Sequence, residues 1–520
     1  MSAAVPMTAD GFLPVDTAAW QDIHLSLAEL LVQGGDERLR LDPETSSNVY
    51  GCAPGPRAGI IEFCSCTASC ISGPAFERIG RSRDALVREM GARGTEAAFE
   101  HAIETQRRAL LTLLGLNGMG VEVVFSPSGT DSQLHALLLA RLTMGGPITS
   151  IVCASDQTGS GTAFTSRGQH YSASTAQGKA VERGAAIDDA TVGSVGIPLF
   201  GSDGSRLGAE EIDKAVTAAV AREIAAGRKV LLQTMESSKL GWRAPTDACA
   251  KAVQERWPHH VQVVVDACQM RSGRARLREA LERGWIVLLT GSKFFTAPAF
   301  CGALLVPGSL SCSLGERAVP KGLAAYATRF DLPRQWESLR RGVPAVANFG
   351  QWLRWEAALE EMRAFYALST VFSASLFKRL AAAVPQVMAA SRTLEWLGDA
   401  GGCPLENPGE EMPVPTVFPF FVNTGRGRLG HEAMVRLYRA LIEKLSRGET
   451  EDERRAAAAV CQIGQPVKLV CGSVLRLAIG SRTACEAWHP DDTVVERNIQ
   501  RIVANCGTVA RKIDLIAEDA

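Results

Sequence analysis

Val263-Val264-Val265-Asp266-Ala267-Cys268-Gln269 is an apolar, β-branched run that ends in a carboxylate. Leu288-Leu289-Thr290-Gly291-Ser292-Lys293-Phe294-Phe295 is a second apolar run, and it ends beside a lysine. A continuous hydrophobic run of this kind reads as a strand buried on both faces, so its first polar residue falls where the strand leaves the sheet. Ligands of open α/β sheets collect at those strand ends. An acid and an amine brought to one sheet edge suit a site that holds a protonated ring nitrogen at one end and forms an imine at the other.

Upstream, residues 121–125 read as a strand, followed by the turn Ser126-Pro127-Ser128-Gly129-Thr130-Asp131-Ser132 and a helix through Leu134, Leu137, Leu138 and Arg141. That order places free backbone N–H groups and hydroxyls at a helix N-terminus, which suits a phosphate. A dinucleotide fingerprint does not fit, because Gly115, Gly118 and Gly120 precede the strand instead of following it. Further strands are expected at 150–154 and 229–234, and helices near 210–226 and 246–257. A Gly-rich loop, Asp156-Gln157-Thr158-Gly159-Ser160-Gly161-Thr162, opens a helix-poor stretch to about 200. Strands alternating with helices predict a mostly parallel sheet covered on both faces.

The chain of 520 residues is too long for one compact core. Residues 1–75 read as an amino-terminal arm with one amphipathic helix at 20–33, and residues 76–345 as the large α/β domain. Residues 346–520 read as a small α+β domain with strands at 417–423 and 467–479 and an exposed loop at 401–415. Lys plus Arg (55) nearly equals Asp plus Glu (56), so no net field invites nucleic acid or an anionic membrane, and small substrates are expected. Fourteen cysteines scattered through apolar runs suggest reduced thiols and a cytoplasmic protein. Cys64, Cys66 and Cys70 lack a CxxC partner pair or a flanking histidine, so no metal is expected. No basic residue precedes Arg38, and no run approaches eighteen apolar residues, so neither a signal peptide nor a membrane span is expected.

These motifs together resemble the fold-type I pyridoxal 5′-phosphate (PLP) enzymes, in particular the class V aminotransferase and cysteine desulfurase branch, over roughly residues 80–490. Asp266-Ala267-Cys268-Gln269 is similar to that branch's Asp-x-x-Gln. It implies Asp266 on the pyridine nitrogen and Gln269 on the ring hydroxyl. Thr290-Gly291-Ser292-Lys293 resembles the Ser-x-His-Lys stretch, implying Lys293 as the catalytic Schiff-base lysine. Ser128-Gly129-Thr130 resembles the phosphate loop, and Thr290, Ser292 and Ser238 join the expected cofactor ligands. Val474-Leu475-Arg476-Leu477-Ala478-Ile479-Gly480 resembles the late strand whose arginine clamps the substrate carboxylate, here Arg476. The implied fold is PLP-dependent transferase-like, with a seven-stranded-type sheet, in a homodimer with interfacial sites.

The departures shape the expected reaction. A ring-stacking histidine is replaced by the 156–161 loop, leaving Gln157 first and His170 second as the stacking residue. Ser292 precedes the lysine where a histidine is usual, and Val343 follows Gly342 where a threonine is usual. Cys461 lies before Arg476 at a spacing similar to one desulfurase subgroup's persulfide cysteine, which makes it a candidate substrate-side thiol, with a buried thiol as the alternative. Cys66-Thr67-Ala68-Ser69, the 158–162 loop and Ile463-Gly464-Gln465-Pro466-Val467 resemble a subset that includes a decarboxylating aldolase of fungal peptide natural-product assembly. The expectation is a PLP enzyme acting on an α-amino acid through a Cα carbanion (quinonoid), with lyase or carbon–carbon bond-forming outcome. The alternatives are a class V aminotransferase, a cysteine desulfurase, or a cofactor-binding protein without turnover.

Overall fold

The computed structural model describes residues 17–320, 322–397 and 411–518. In chain order, strand β1 (Ile60–Phe63) belongs to a smaller sheet. Strands β2 (Glu122–Ser126), β3 (Ile148–Cys153), β4 (Val192–Ile197), β5 (Lys229–Met235), β6 (Val261–Asp266), β7 (Ile286–Thr290) and β8 (Gly302–Val306) form the large one. The large sheet runs β2-β8-β7-β6-β5-β3-β4, and β8 alone runs against its neighbours. Val263 and Val265 pack on one face of β6 and Val264 on the other. That period-two alternation between two covered faces is why the run is hydrophobic throughout. Each fully buried valine contributes about 1.5 kcal/mol of transfer free energy.

Strand β4 was not expected. It is the sheet edge and is mostly half-exposed, and Gly193 and Gly196 interrupt its β-branched residues, so it presents no hydrophobic run. At the opposite end, β2 and β8 approach closely through Gly302, where an added Cβ would stand 2.5 Å from the Ser128 carbonyl group. Gly302→Ala is therefore expected to destabilise the protein by about 2 kcal/mol, read as a lower urea midpoint at unchanged slope.

The smaller sheet contains β9 (Leu394–Trp396), β10 (Val417–Thr424), β11 (Gly427–Arg428), β12 (Val460–Leu469) and β13 (Gly472–Ala478). Its order is β1-β12-β13-β10-β11, with β9 also on β10. The stretch expected as one strand at 467–479 is the tip and return of a hairpin: Leu469 pairs with Gly472 across a two-residue turn, Val470 and Cys471. The apolar turn hides the reversal, which Gly472 accommodates at φ 140°. The expected loop at 401–415 lies mostly outside the described residues.

The amino-terminal arm is less separate than its composition suggests, since β1 pairs in parallel with β12. The helix expected at 20–33 is two short ones, Thr17–Ile23 and Leu27–Leu31. Ser26 breaks them by a capping box with Glu29, whose carboxylate accepts the Ser26 N–H at 2.8 Å. Arg354, fully buried on the Phe349–Tyr366 helix, then pins the arm by donating to the carbonyls of Leu31 (2.9 Å), Gln33 (2.6 Å) and Gly34 (3.0 Å). Arg271 joins three segments in the same way, donating to Ser65 (3.0 Å), Thr416 (2.6 Å) and the Ile479 carbonyl (2.8 Å).

Candidate active site

The ends of β5, β6 and β7 and the N-terminus of the Gly129–Met144 helix open on a cavity of about 270 Å³. Asp266, the last residue of β6, accepts hydrogen bonds from Gln133 Nε2 and from the Cys268 N–H, both at 3.1 Å. The Gln133 carbonyl oxygen accepts from the hydroxyls of Thr162 (2.8 Å) and Thr165 (3.2 Å), so the amide turns its NH2 to the carboxylate. Sequence reading missed Gln133. Its position one helical turn after Gly129, on the same face, was the available signal.

Lys293 lies in the turn just past β7 and lines the same cavity with Thr290 and Ser292. The Thr290 hydroxyl donates to the Cys268 carbonyl at 2.8 Å, which ties together the two strand ends that carry the acid and the amine. The Asp266 and Lys293 runs thus meet as expected.

Ser128 caps the Gly129–Met144 helix: its Oγ accepts the Asp131 N–H and donates to the Asp131 carboxyl at 2.6 Å. The groups left for an anion are the first N–H groups of the helix and the Thr130 hydroxyl. Gly129 is required here, since a Cβ would stand 2.8 Å from Cys268 Sγ. Arg38, delivered by the arm, donates to Ser128 Oγ at 3.2 Å while Asp36 holds its other edge, and its guanidinium lies 4.3 Å over Phe300. No local pattern in the sequence marks Arg38; only the tertiary path of the arm brings it in.

Burial, with the Asp36 charge second, pushes the Asp131 carboxyl up to about 6. A raised folded-state pKa means its contribution to stability is full below the ordinary carboxyl range and is lost as pH rises through about 6. Asp131→Asn is expected to flatten the fall in melting temperature between about pH 4 and about pH 7, measured by calorimetry.

Gln157 is 1% exposed and lines the cavity, and neither its amide nitrogen nor its amide oxygen has a partner among the described residues. Ser237 Oγ, also lining, is equally unpartnered. Unsatisfied buried polar groups cost about 1–3 kcal/mol each, so these atoms fit a polar ligand. Ser238, expected as a cofactor ligand, instead accepts the N–H groups of Leu240 (3.2 Å) and Trp242 (3.1 Å), and its neighbours Ser237 and Lys239 line the cavity. His170 is not in the cavity lining: it bonds and stacks on Tyr326. Gln269 lines the cavity, but its amide already donates to the Cys66 carbonyl (3.1 Å) and accepts from Arg271 (3.3 Å).

Arg476 on β13 is 3% exposed and lines the cavity. The register shift between Gly464 and Val467 turns the Gln465 carbonyl toward it, accepting at 2.8 Å; Thr67 Oγ1 and the Lys239 carbonyl accept at 3.1 Å. These partners are all neutral. Cys461, the candidate substrate-side thiol, does not line the cavity. Its neighbour Gln462 turns toward Tyr50 and Cys52, so strand alternation sends Cys461 to the other face, beside Lys512, where burial pushes its thiol up to about 11. Cys64 and Cys70 face different partners, Ser69 and Gln462. Among the described residues, no group of three His, Cys, Asp or Glu side chains could hold a metal ion, and no single helix is long and apolar enough to cross a membrane.

No protein-family model matches the chain, and no curated protein matches it. Solved structures do. The structure of mouse CSAD aligns with TM-score 0.51 at 14% identity, covering 97% of this chain and 99% of that one. A C-DES variant with glycine covalently linked to its PLP cofactor aligns at TM-score 0.48 and 14% identity, covering 86% and 97%. The cysteine desulfurase CsdA from Escherichia coli aligns at TM-score 0.47 and 13% identity, covering 86% and 95%. The chain has the transferase-like α/β fold that its motifs implied; at this identity the likeness establishes the fold.

Proposed function

We propose that this chain is a PLP-dependent enzyme acting on an α-amino acid, with lyase or carbon–carbon bond-forming chemistry. The observation that carries the reading is the convergence of Lys293, Asp266 and the capped 128–130 turn on one cavity, in which Gln157 holds two unpartnered amide atoms. When bound, PLP would supply an aldehyde for covalent attachment and a ring that withdraws electrons from the reacting carbon. Asp266, oriented by Gln133, would hold a proton on the ring nitrogen. Helix N–H groups and Thr130 would receive the phosphate, with Arg38 adjacent. Lys293 would carry the cofactor at rest and move a proton at the substrate carbon once released. Arg476 would grip a carboxylate.

The test is reconstitution with PLP. A visible absorption band that borohydride bleaches, leaving the adduct on the peptide of Lys293, is expected; a colourless protein would end the reading. An amino-acid panel followed by absorbance and product mass then separates the outcomes. Conversion of the cofactor to its amine form without release of a fragment would favour amino transfer over the proposed chemistry, and release of sulfide from cysteine would favour desulfuration. Because Cys461 does not line the cavity, Cys461→Ser is expected to leave turnover within about twofold of the parent protein, a typical consequence of a distant change.

A further inference from the structure

We infer that Cys52 and Cys70 are a redox pair whose disulfide fastens the amino-terminal arm as a strap against the candidate cavity. The pair bears on how the cavity is walled, whatever fills it. Between the Arg354 anchor at residues 31–34 and the pairing of β1 with β12, the arm runs along the cavity and contributes Arg38 and Tyr50 to its lining. Tyr50 packs edge-on against Phe300 with 5.6 Å between ring centres, and its carbonyl accepts from Gln462 Nε2 and the Tyr438 hydroxyl, both at 3.1 Å. Cys52 lies two residues beyond Tyr50, and Cys70 follows the loop whose Cys66 and Thr67 line the same cavity. A bond between them would join two parts of the cavity wall.

The two thiols are already placed for it. Both are buried, in one small apolar cluster with Leu39, Ala68 and Ala299. Within that cluster the Cys52 thiol donates to the Cys70 sulfur, the Cys70 thiol donates to Gln462 Oε1 at 3.9 Å, and Gln462 Nε2 donates to the Cys52 sulfur at 3.1 Å. A closed ring of three hydrogen bonds sets sulfur against sulfur. Cysteines that only fill apolar space need no such ring. The hydrogen bond from Cys52 is the largest influence on Cys70 and holds its thiol below the ordinary range, against burial and the Glu62 charge. The same contact, then burial, pushes the Cys52 thiol up. One sulfur is thus the nucleophile and the other the proton-bearing partner. Gly51 and Ala53, on either side of Cys52, are half-buried, so a small oxidant has a short path to the pair. With hydrogen peroxide as that oxidant, the Cys70 thiolate attacks one oxygen, the O–O bond breaks, and the leaving hydroxide takes up the proton that Cys70 shed. The Cys52 sulfur then displaces hydroxide from the sulfenic acid and gives it the second proton. Two thiols and one peroxide become one disulfide and two waters. Every cysteine among the described residues is free, so this structure is the reduced form.

The experiment uses the full-length protein, reduced, treated with hydrogen peroxide, blocked with N-ethylmaleimide and digested with trypsin without reduction. Arg57 lies between the two cysteines, so they fall on different peptides, residues 41–57 and 58–78. The expected result is a linked pair of these peptides whose fragmentation places the bond on Cys70 and which dithiothreitol separates. No linked pair, or a bond to Cys64 or Cys66, overturns the inference. The strap is read by trypsin cleavage of the native protein after the exposed Arg40, inside the stretch that the bond fastens. Oxidation is expected to slow that cleavage about tenfold to hundredfold, because cutting requires the arm to open and a cross-link restricts opening. Cys52→Ala and Cys70→Ala should be cut at one rate with or without peroxide. Equal rates for the oxidised and reduced parent protein overturn the strap, and peroxide-dependent slowing in either alanine variant overturns the pair. Mapping and the cleavage comparison are both made on the parent protein, so they decide the matter even where a variant does not fold.

Discussion

Lys293→Ala is expected to lower turnover by about four orders of magnitude and to abolish the borohydride adduct. The figure follows from removing both a covalent attachment point and a proton-transfer group from one cavity. The substitution is also diagnostic because a second amine, Lys239, lines the same space. Peptide mapping of the parent protein should find the adduct at Lys293, just past β7 and close to the strand end that bears Asp266. An adduct on the Lys239 peptide would reassign the attachment point. Lys293 lies in a turn that its carbonyl closes by accepting the Thr296 N–H at 2.9 Å, and its side chain makes no hydrogen bond among the described residues, so the alanine variant should unfold at nearly the parent temperature. Lost activity would then report chemistry and not collapse.

Asp266→Asn is expected to lower kcat by a factor of about a hundred to a thousand, with KM changing much less. A preorganised charge facing a developing charge in a water-poor cavity has effects of that order. The asparagine has the same shape, and the contact to the Cys268 N–H can persist. The Gln133 NH2, however, is held toward position 266 by two threonine hydroxyls, so two amide donors compete for one geometry. Gln133→Leu should therefore give a smaller loss in the same direction, by freeing the carboxylate to rotate. Steady-state kinetics with the amino acid returned by the panel measures both. A change confined to KM would place Asp266 in substrate binding instead.

Much of the fold was legible because the large sheet is buried on both faces. Strands β3, β5, β6 and β7 announce themselves as apolar runs, and the polar residue that ends β6 marks the site edge. Strand β4 was illegible for the converse reason: a half-exposed edge strand with two glycines has no hydrophobic pattern to read. The 467–479 hairpin was hidden because its turn, Val470 and Cys471, carries neither Asn-Gly nor Pro. Among the residues that line the cavity, Asp266, Lys293, Thr130 and Arg476 are the ones to which strand ends and helix starts point. Ser238 was displaced by its neighbours, because a turn can direct a serine hydroxyl to its own backbone while the residues on either side line the cavity. Cys461 was misplaced because spacing along β12 does not reveal which face of a strand a residue takes; its pairing with Ile61 and the turning of Gln462 decide that.

The sequence by itself determined the sheet's central strands, the order of acid before lysine, and the phosphate-type turn. Each follows from interactions within a few residues along the chain. Tertiary structure alone decided that Arg38 reaches Ser128 across ninety positions, that Gln133 aims Asp266, and that Lys239 stands beside Arg476. Those contacts join segments whose separation in the chain carries no periodic trace, because they are made by side chains meeting through packing and not by the backbone's local preferences.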